Sequence, residues 1–368
     1  MDAFDLPPYP YDRLNDFRAI AAERHGTAID MSIGAPHDAP PSAVVSALSE
    51  SGNERGYPPS IGTEAFRRAA ATWLDTQFDV HIDVAHLGAT MGLKEFVVGL
   101  PHYLRLRNPD KDTVLYPAVS YPSYAMGARL AHGRAVAVPV DEHWNLRLDA
   151  IAPEDIARAS VLWVASPGNP TGALEDLGAL AQWGRDNGVL VASDECYIEF
   201  TWNGAPKTIL EHGSEGVLAV HSLSKRSNLA GLRAGFYAGD PEIVHWCREI
   251  RKHTGAMVAG PNQHAAAVAF GDQEHVHTQR EAYHRRMLAM ISVLEAFGVE
   301  AAMPEGGFYL WVKAPGGDAW ELARQLAERV GLIVSPGEFY GDVSDDYVRI
   351  AVVQSDESID QIAGRLTP

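Results

Sequence analysis

The chain has 368 residues, 46% of them hydrophobic and 21% charged, a composition suited to one large or two moderate globular domains. Its formal net charge of −18 argues against nonspecific nucleic-acid or anionic-membrane binding, while a local basic pocket remains compatible with it. Two cysteines, Cys196 and Cys247, with no C-x-x-C pair, argue against a disulfide framework and point to a reducing cytoplasm.

The first residues, MDAFDLPPYPYDRL, are acidic and Pro-rich, without the charged start and apolar core of a secretory signal, and no apolar run reaches membrane-spanning length. Residues 1–35 read as an arm, a short helix over Leu14–His25 and a strand-like IDMSIG, with Gly34 permitting a turn. GYPPSIGT, residues 56–63, has the punctuation of an exposed loop carrying Tyr57. In HLGATMGLKEFVVGLPHYLR a Gly-rich turn precedes an amphipathic helix. Free amides at a helix start receive phosphate, so Thr90, Met91, Gly92, Leu93 and Lys94 form a candidate cradle, mainly through the main chain. The turn matches neither the P-loop nor the dinucleotide fingerprint, which removes the main support for ATP or NAD binding. TVLYPAVSYPSYAMGARLA reads as strand, turn and helix, with Tyr121 and Tyr124 at the turn.

The apolar runs AVAVPV, SVLWVA, GVLVAS, GVLAVHS and AGFYAG then alternate with helical stretches such as Leu174–Asn187. That alternation predicts an α/β fold with a mostly parallel central sheet covered by helices, in a large domain of roughly residues 36–260. Beyond residue 261, helices at Gln263–Phe270 and Gln279–Phe297 lead to GGFYLWV, GLIVSPGEF and YVRIAVV, a smaller α+β domain over 261–368. His275, His277 and His284 lack an acidic or cysteine ligand set and read as solvated helix residues; no metal site is expected.

The chemistry concentrates in HSLSKRSNLAGLRAGF, residues 221–236. Lys225 stands there among hydroxyls and arginines, and desolvation together with the adjacent Arg226 would lower its pKa and make it a nucleophile able to form a Schiff base with an aldehyde. Upstream, SDECYIEF sets Asp194 and Tyr197 three residues apart after an apolar run, and SPGNPTG sets Asn169 after VLWVA. Arg233 lies eight residues past Lys225, beyond Ser222 and Ser224. A pyridoxal phosphate site needs a lysine for the aldehyde, a carboxylate for the ring nitrogen and donors for the ring oxygen and phosphate, and each type follows a strand-like run. Cys196, between Asp194 and Tyr197, reads as a small filler. Arg349 interrupts the apolar strand YVRIAVV and needs an anionic partner if buried.

These segments, with IGAP, GYPPSIGT, NPTG, SDECY, SLSK and VRIAV in order over nearly the whole chain, resemble the class I, fold-type I pyridoxal-phosphate aminotransferases. SKRSNLAG, SDECYIEF and PEGGFYLW most resemble the actinobacterial-type N-succinyldiaminopimelate aminotransferases. The resemblance implies that Lys225 binds pyridoxal 5'-phosphate and later acts as base and acid, and that Asp194 pairs with the pyridine nitrogen. Tyr197 and Asn169 would serve the ring oxygen, Ser222 and Arg233 the phosphate, and Tyr121, rather than Tyr124, the ring face, with Ser224 also binding the cofactor. Gly34, Asn169 and Arg349 would take the substrate carboxylate, and Tyr57 would reach the partner's phosphate in a homodimer. The implied reaction is ping-pong amino transfer between glutamate and N-succinyl-L-2-amino-6-oxoheptanedioate in lysine and diaminopimelate synthesis; Arg226, Ser227 and Asn228 are the residues to test near the distal group. Alternatives are an aminotransferase for an aromatic amino acid, alanine or aspartate, a carbon–sulfur β-lyase, or a non-catalytic regulator that binds the cofactor.

Overall fold

A computed structural model describes residue 4, residues 7–50 and residues 52–366, so residues 1–3 and 5–6 of the expected amino-terminal arm lie outside the description. In chain order the strands are β1 (Ile29–Asp30), β2 (Leu87–Thr90), β3 (Thr113–Pro117), β4 (Arg134–Val138), β5 (Ala159–Ala165), β6 (Leu190–Asp194), β7 (Val217–Ser222), β8 (Gly235–Gly239), β9 (Tyr309–Lys313), β10 (Leu332–Ile333), β11 (Ser335–Pro336) and β12 (Tyr347–Ala351). Seven of them form the central sheet in the order β2-β8-β7-β6-β5-β3-β4, in which β8 alone runs against its neighbours.

Both faces of the inner strands are covered, so β5, β6, β7 and β8 are buried almost throughout rather than alternating, while the edge strand β4 is partly exposed. Neighbouring residues of β5 point to opposite sides: Leu162 joins a core with Phe66, Trp73 and Phe236, and Trp163 one with Phe96, Tyr124 and Tyr237. Because β2, β3, β5, β6 and β7 run in one direction, the segments after Thr90, Pro117, Ala165, Asp194 and Ser222 all emerge along one edge. That edge is where open α/β sheets bind ligands.

A second core gathers Met31, Met287, Leu294, Leu310, Leu326 and Ile350 around the antiparallel sheet β11-β12-β9 and the short parallel pair β1–β10. The helix Gly260–Gly271 contributes Ala265, Ala266, Ala269 and Phe270 to the larger core. The helix Glu274–Phe297 supplies Met287, Met290 and Leu294 to the second core. The helix expected from Leu174 begins at Leu177, where the Asp176 carboxylate accepts the Ala179 N–H and caps it. Among the described residues no helix is long and apolar enough to cross a membrane.

Candidate active site

At the carboxyl edge of the sheet, loops from the larger unit meet β12 and the Ile33–Ala35 segment around a cavity of about 320 Å3. Lys225, Asp194, Tyr197, Asn169, Tyr121, Ser222, Ser224 and Arg233 line it, with Leu93 and Lys94 at one side and Gly34 and Arg349 at the other. Thr90, Met91 and Gly92, which precede Leu93 in the chain, are not part of that lining, and neither is Tyr57, which is 95% exposed. The grouping Asp75, Asp79 and His81, which could hold a metal, is exposed and also lies outside the lining.

Lys225 belongs to a four-residue helix, Leu223–Arg226, capped by the Ser222 hydroxyl, which accepts the Ser224 N–H at 3.1 Å. Its Nζ donates to the Gly34 carbonyl. Burial lowers the Lys225 pKa to about 8; Arg349 and Arg233 push the same way, against Cys196 and Asp194. The expected contribution of Arg226 is absent, because that guanidinium turns away from the cavity to Glu199, 3.0 Å from its Nε.

Asp194, at the end of β6, accepts the Tyr124 hydroxyl at 3.0 Å and the Cys196 N–H at 3.3 Å. Burial raises its pKa, and those hydrogen bonds oppose the rise. Tyr124 is stacked on Trp163 with centroids 5.2 Å apart, while Tyr121 faces the cavity at right angles to it. The hydroxyl partner of Asp194 was missed in the sequence reading, although a tyrosine three residues beyond Tyr121 at a helix start was its signal.

The far end is built for an anion. Gly92 has φ +73°, and a Cβ there would stand 2.1 Å from Arg233 Nη2. Arg233 itself takes a positive φ and donates to the carbonyls of Ala230 at 2.9 Å and Met91 at 3.3 Å. The buried Thr90 hydroxyl has no partner among the described residues, and the helix Leu93–Arg107 starts here. The Met91 N–H is the exception in the expected cradle, since Glu95 Oε1 already accepts it at 2.8 Å. A cation and an orphan hydroxyl at a helix start, an amine at mid-cavity and a buried carboxylate beyond it fit the phosphate, aldehyde and ring nitrogen of pyridoxal phosphate.

Opposite, Arg349 Nη1 donates to Asn169 Oδ1 at 2.8 Å and Nη2 to the Ser32 carbonyl at 2.6 Å, and Nε has no partner among the described residues. Its guanidinium carbon lies 4.2 Å from the Tyr309 ring and 4.6 Å from that of Tyr340. The Tyr309 hydroxyl meets that of Tyr197 at 2.7 Å and fills the space a side chain at Gly34 would need, a Cβ there falling 2.2 Å from it. Among the described residues no carboxylate pairs with Arg349, so the cavity holds a buried cation that a substrate acid can neutralise.

Two further expectations need correction. His277 and His284 are exposed, but His275 is mostly buried, with Nε2 2.9 Å from Ser227 Oγ and Nδ1 3.0 Å from Asp272 Oδ2. Arg226, Ser227 and Asn228, the candidates for the distal group, do not line the cavity.

Residues 27–366 match the family described as aminotransferase class I and II. The chain is 38% identical to the 4-dedimethylamino-4-oxo-anhydrotetracycline transaminase OxyQ of Streptomyces rimosus over 99% of both chains. It is 33% identical to the LL-diaminopimelate aminotransferase of Aquifex aeolicus, covering 98% of this chain and 96% of that one. Among solved structures, a probable N-succinyldiaminopimelate aminotransferase from Thermus thermophilus superposes with a TM-score of 0.86 at 31% identity, covering 97% and 99% of the two chains. With a matching family model over most of its length and relatives of this identity, the chain belongs to the class I and II aminotransferases and is a pyridoxal-phosphate-dependent transaminase of fold type I.

Proposed function

We propose that this transaminase moves an amino group between glutamate and N-succinyl-L-2-amino-6-oxoheptanedioate, by a ping-pong mechanism, in the formation of diaminopimelate and lysine. The observation that carries the reading is Arg349, a buried cation of the cavity lining with no acidic partner among the described residues. Both glutamate and the succinylated acceptor carry an α-carboxylate, which such a charge can hold. The diaminopimelate and succinyldiaminopimelate names of two relatives favour the same substrate class.

In this reading Arg349, oriented by Asn169 and Ser32, grips the α-carboxylate, and the Gly34 N–H assists. Asp194, held by Tyr124, keeps a proton on the ring nitrogen. Tyr197 and Asn169 hold the ring oxygen, Tyr121 covers the ring face, and Ser222, Ser224, Arg233 and the turn residues Thr90, Gly92, Leu93 and Lys94 hold the phosphate. When bound, pyridoxal phosphate supplies the electron sink that makes the substrate α-proton removable. Lys225 would hold the cofactor through its aldehyde, and its Nζ would be the group that carries the proton from the substrate α-carbon. Tyr57 reaches the phosphate of a second copy, so the working unit is a homodimer.

A different observation favours a second acceptor. The mouth of the cavity is lined by Tyr9, Tyr11 and the 47%-exposed Ile33, an apolar and aromatic rim suited to a bulky, flat oxo compound such as the one named for the Streptomyces relative. A comparison of kcat/KM across acceptors decides: preference for the succinylated oxo acid over phenylpyruvate and polycyclic ketones supports the proposal, and the reverse order replaces it.

Two results are expected at the cofactor end. Gly92→Ala forces a side chain into a positive-φ turn and against Arg233, so pyridoxal phosphate binds about ten- to a hundredfold more weakly in an equilibrium titration. Only a neutral amine attacks an aldehyde. Capture of the cofactor by the cofactor-free protein therefore accelerates as pH rises and levels off above about 8, the pKa of Lys225. A rate that climbs on into the ordinary lysine range contradicts the assignment.

A further inference from the structure

The residue next to Lys225 does something other than tune its charge. A guanidinium has five N–H donors in a rigid plane. In Arg226 all five are engaged: Nε with Glu199 Oε1 at 3.0 Å, Nη1 with Ser227 Oγ at 3.2 Å and the Ala269 carbonyl at 2.7 Å, and Nη2 with the Asp272 carbonyl at 3.3 Å and Gln273 Oε1 at 2.7 Å. The group is 2% exposed and lies between the rings of Trp73 and Phe270, 5.5 and 5.4 Å from their centroids. No donor is left for a substrate.

Its partners come from three places. Glu199 follows Tyr197 by two residues and is itself fixed by Trp73 Nε1 and Gln273 Nε2, each at 3.0 Å. The carbonyls of Ala269 and Asp272 belong to the end of the helix Gly260–Gly271, where carbonyls without helical partners attract a cation. Ser227 continues the chain of contacts to His275 and Asp272.

We propose that Arg226 is a positioning residue for Lys225: its saturated guanidinium ties the lysine turn to the segment beyond Tyr197 and to the carboxyl end of the helix Gly260–Gly271, and so sets the direction in which Lys225 Nζ enters the cavity. The proposal rests on Lys225 being the lysine that engages the cofactor aldehyde. It requires the plane of the guanidinium, not merely its charge. Asp194, Cys196, Arg349, Arg233, Lys94, Tyr121, Tyr197 and Tyr309 share the cavity with Lys225 Nζ, whereas the Arg226 guanidinium is bound outside it, so altering Arg226 leaves the ionisation of Lys225 where it is.

The test follows capture of pyridoxal phosphate by cofactor-free protein, by absorbance across pH, together with thermal melting. Arg226→Lys keeps the charge but not the fork; capture slows about 10- to 100-fold while the pH midpoint stays at the wild-type value. Wild-type capture by a folded Arg226→Lys protein overturns the proposal, and so does a shifted midpoint, which would mean an electrostatic role. Should Arg226→Lys not fold, Gln273→Ala removes one acceptor of the fork and one donor to Glu199 from a half-buried position. Its capture slows several-fold at an unmoved midpoint, and an unchanged rate overturns the proposal. Lys225→Ala run in parallel separates the premise: if that protein still captures the cofactor covalently, the reading of Lys225 fails, independently of Arg226.

Discussion

Lys225→Ala lowers the transamination kcat by about a thousandfold or more while the protein stays folded. The size follows from two losses, covalent engagement of the aldehyde and a positioned base, the second alone worth about 10²–10⁴. Folding survives because the lysine is not a keystone of either core; it projects into the cavity with one hydrogen bond, to Gly34. Its pKa, lowered to about 8 by burial, adds a thermodynamic signature. A depressed lysine pKa means that the folded state bears a cost below about 8, and the cost fades as pH rises toward the unfolded value of 10.5. Lys225→Ala should therefore be more stable than wild type near neutrality, by roughly 3 kcal/mol at most, and the gap should close at alkaline pH. Denaturant titrations of both cofactor-free proteins at two pH values measure it. A variant that keeps substantial transamination removes Lys225 from the mechanism.

Arg349→Ala is the second large effect. The guanidinium is 3% exposed, anchored on Asn169 and Ser32, and has no acidic partner among the described residues. Deleting it leaves a substrate carboxylate unpaired in a dry site, which costs about 3–5 kcal/mol, a hundredfold to several thousandfold in kcat/KM for glutamate and for the oxo acid alike. Arg349→Lys recovers a part only, since an ammonium cannot keep both anchors and present a fork to the carboxylate. Pyridoxal phosphate affinity should be unchanged in either variant. An equal loss of cofactor affinity would show that Arg349 holds the cofactor pocket rather than the substrate.

The strands and their shared edge were legible because the apolar runs of a parallel sheet buried on both faces stand out in sequence, and because Asp194 and Ser222 close two such runs directly. Lys225 and Arg349 were legible as charges set in apolar or small-residue surroundings. What remained hidden depends on partners far along the chain. Arg226 reads as a cation beside a lysine until Glu199 and Gln273, 27 and 47 residues away, take up its donors. His275 reads as a solvated helix residue until Ser227, 48 residues upstream, meets it. Met91 loses its place in the phosphate cradle to the Glu95 side chain, four residues on in a helix whose start, not its rotamers, the sequence marks. Which core the helix Gly260–Gly271 joins is also hidden, because Ala265, Ala266 and Ala269 carry too little hydrophobic signal to announce it.

The measurement that bears most directly on the central claim is a two-step absorbance titration of the purified enzyme loaded with pyridoxal phosphate. Glutamate alone should convert the bound aldehyde cofactor to its amine form, and, after glutamate is removed, N-succinyl-L-2-amino-6-oxoheptanedioate should restore the original spectrum with stoichiometric appearance of the succinylated amino acid. If glutamate converts the cofactor but that oxo acid leaves the amine form untouched, the proposed acceptor is wrong. If glutamate leaves the spectrum unchanged, the donor is wrong as well.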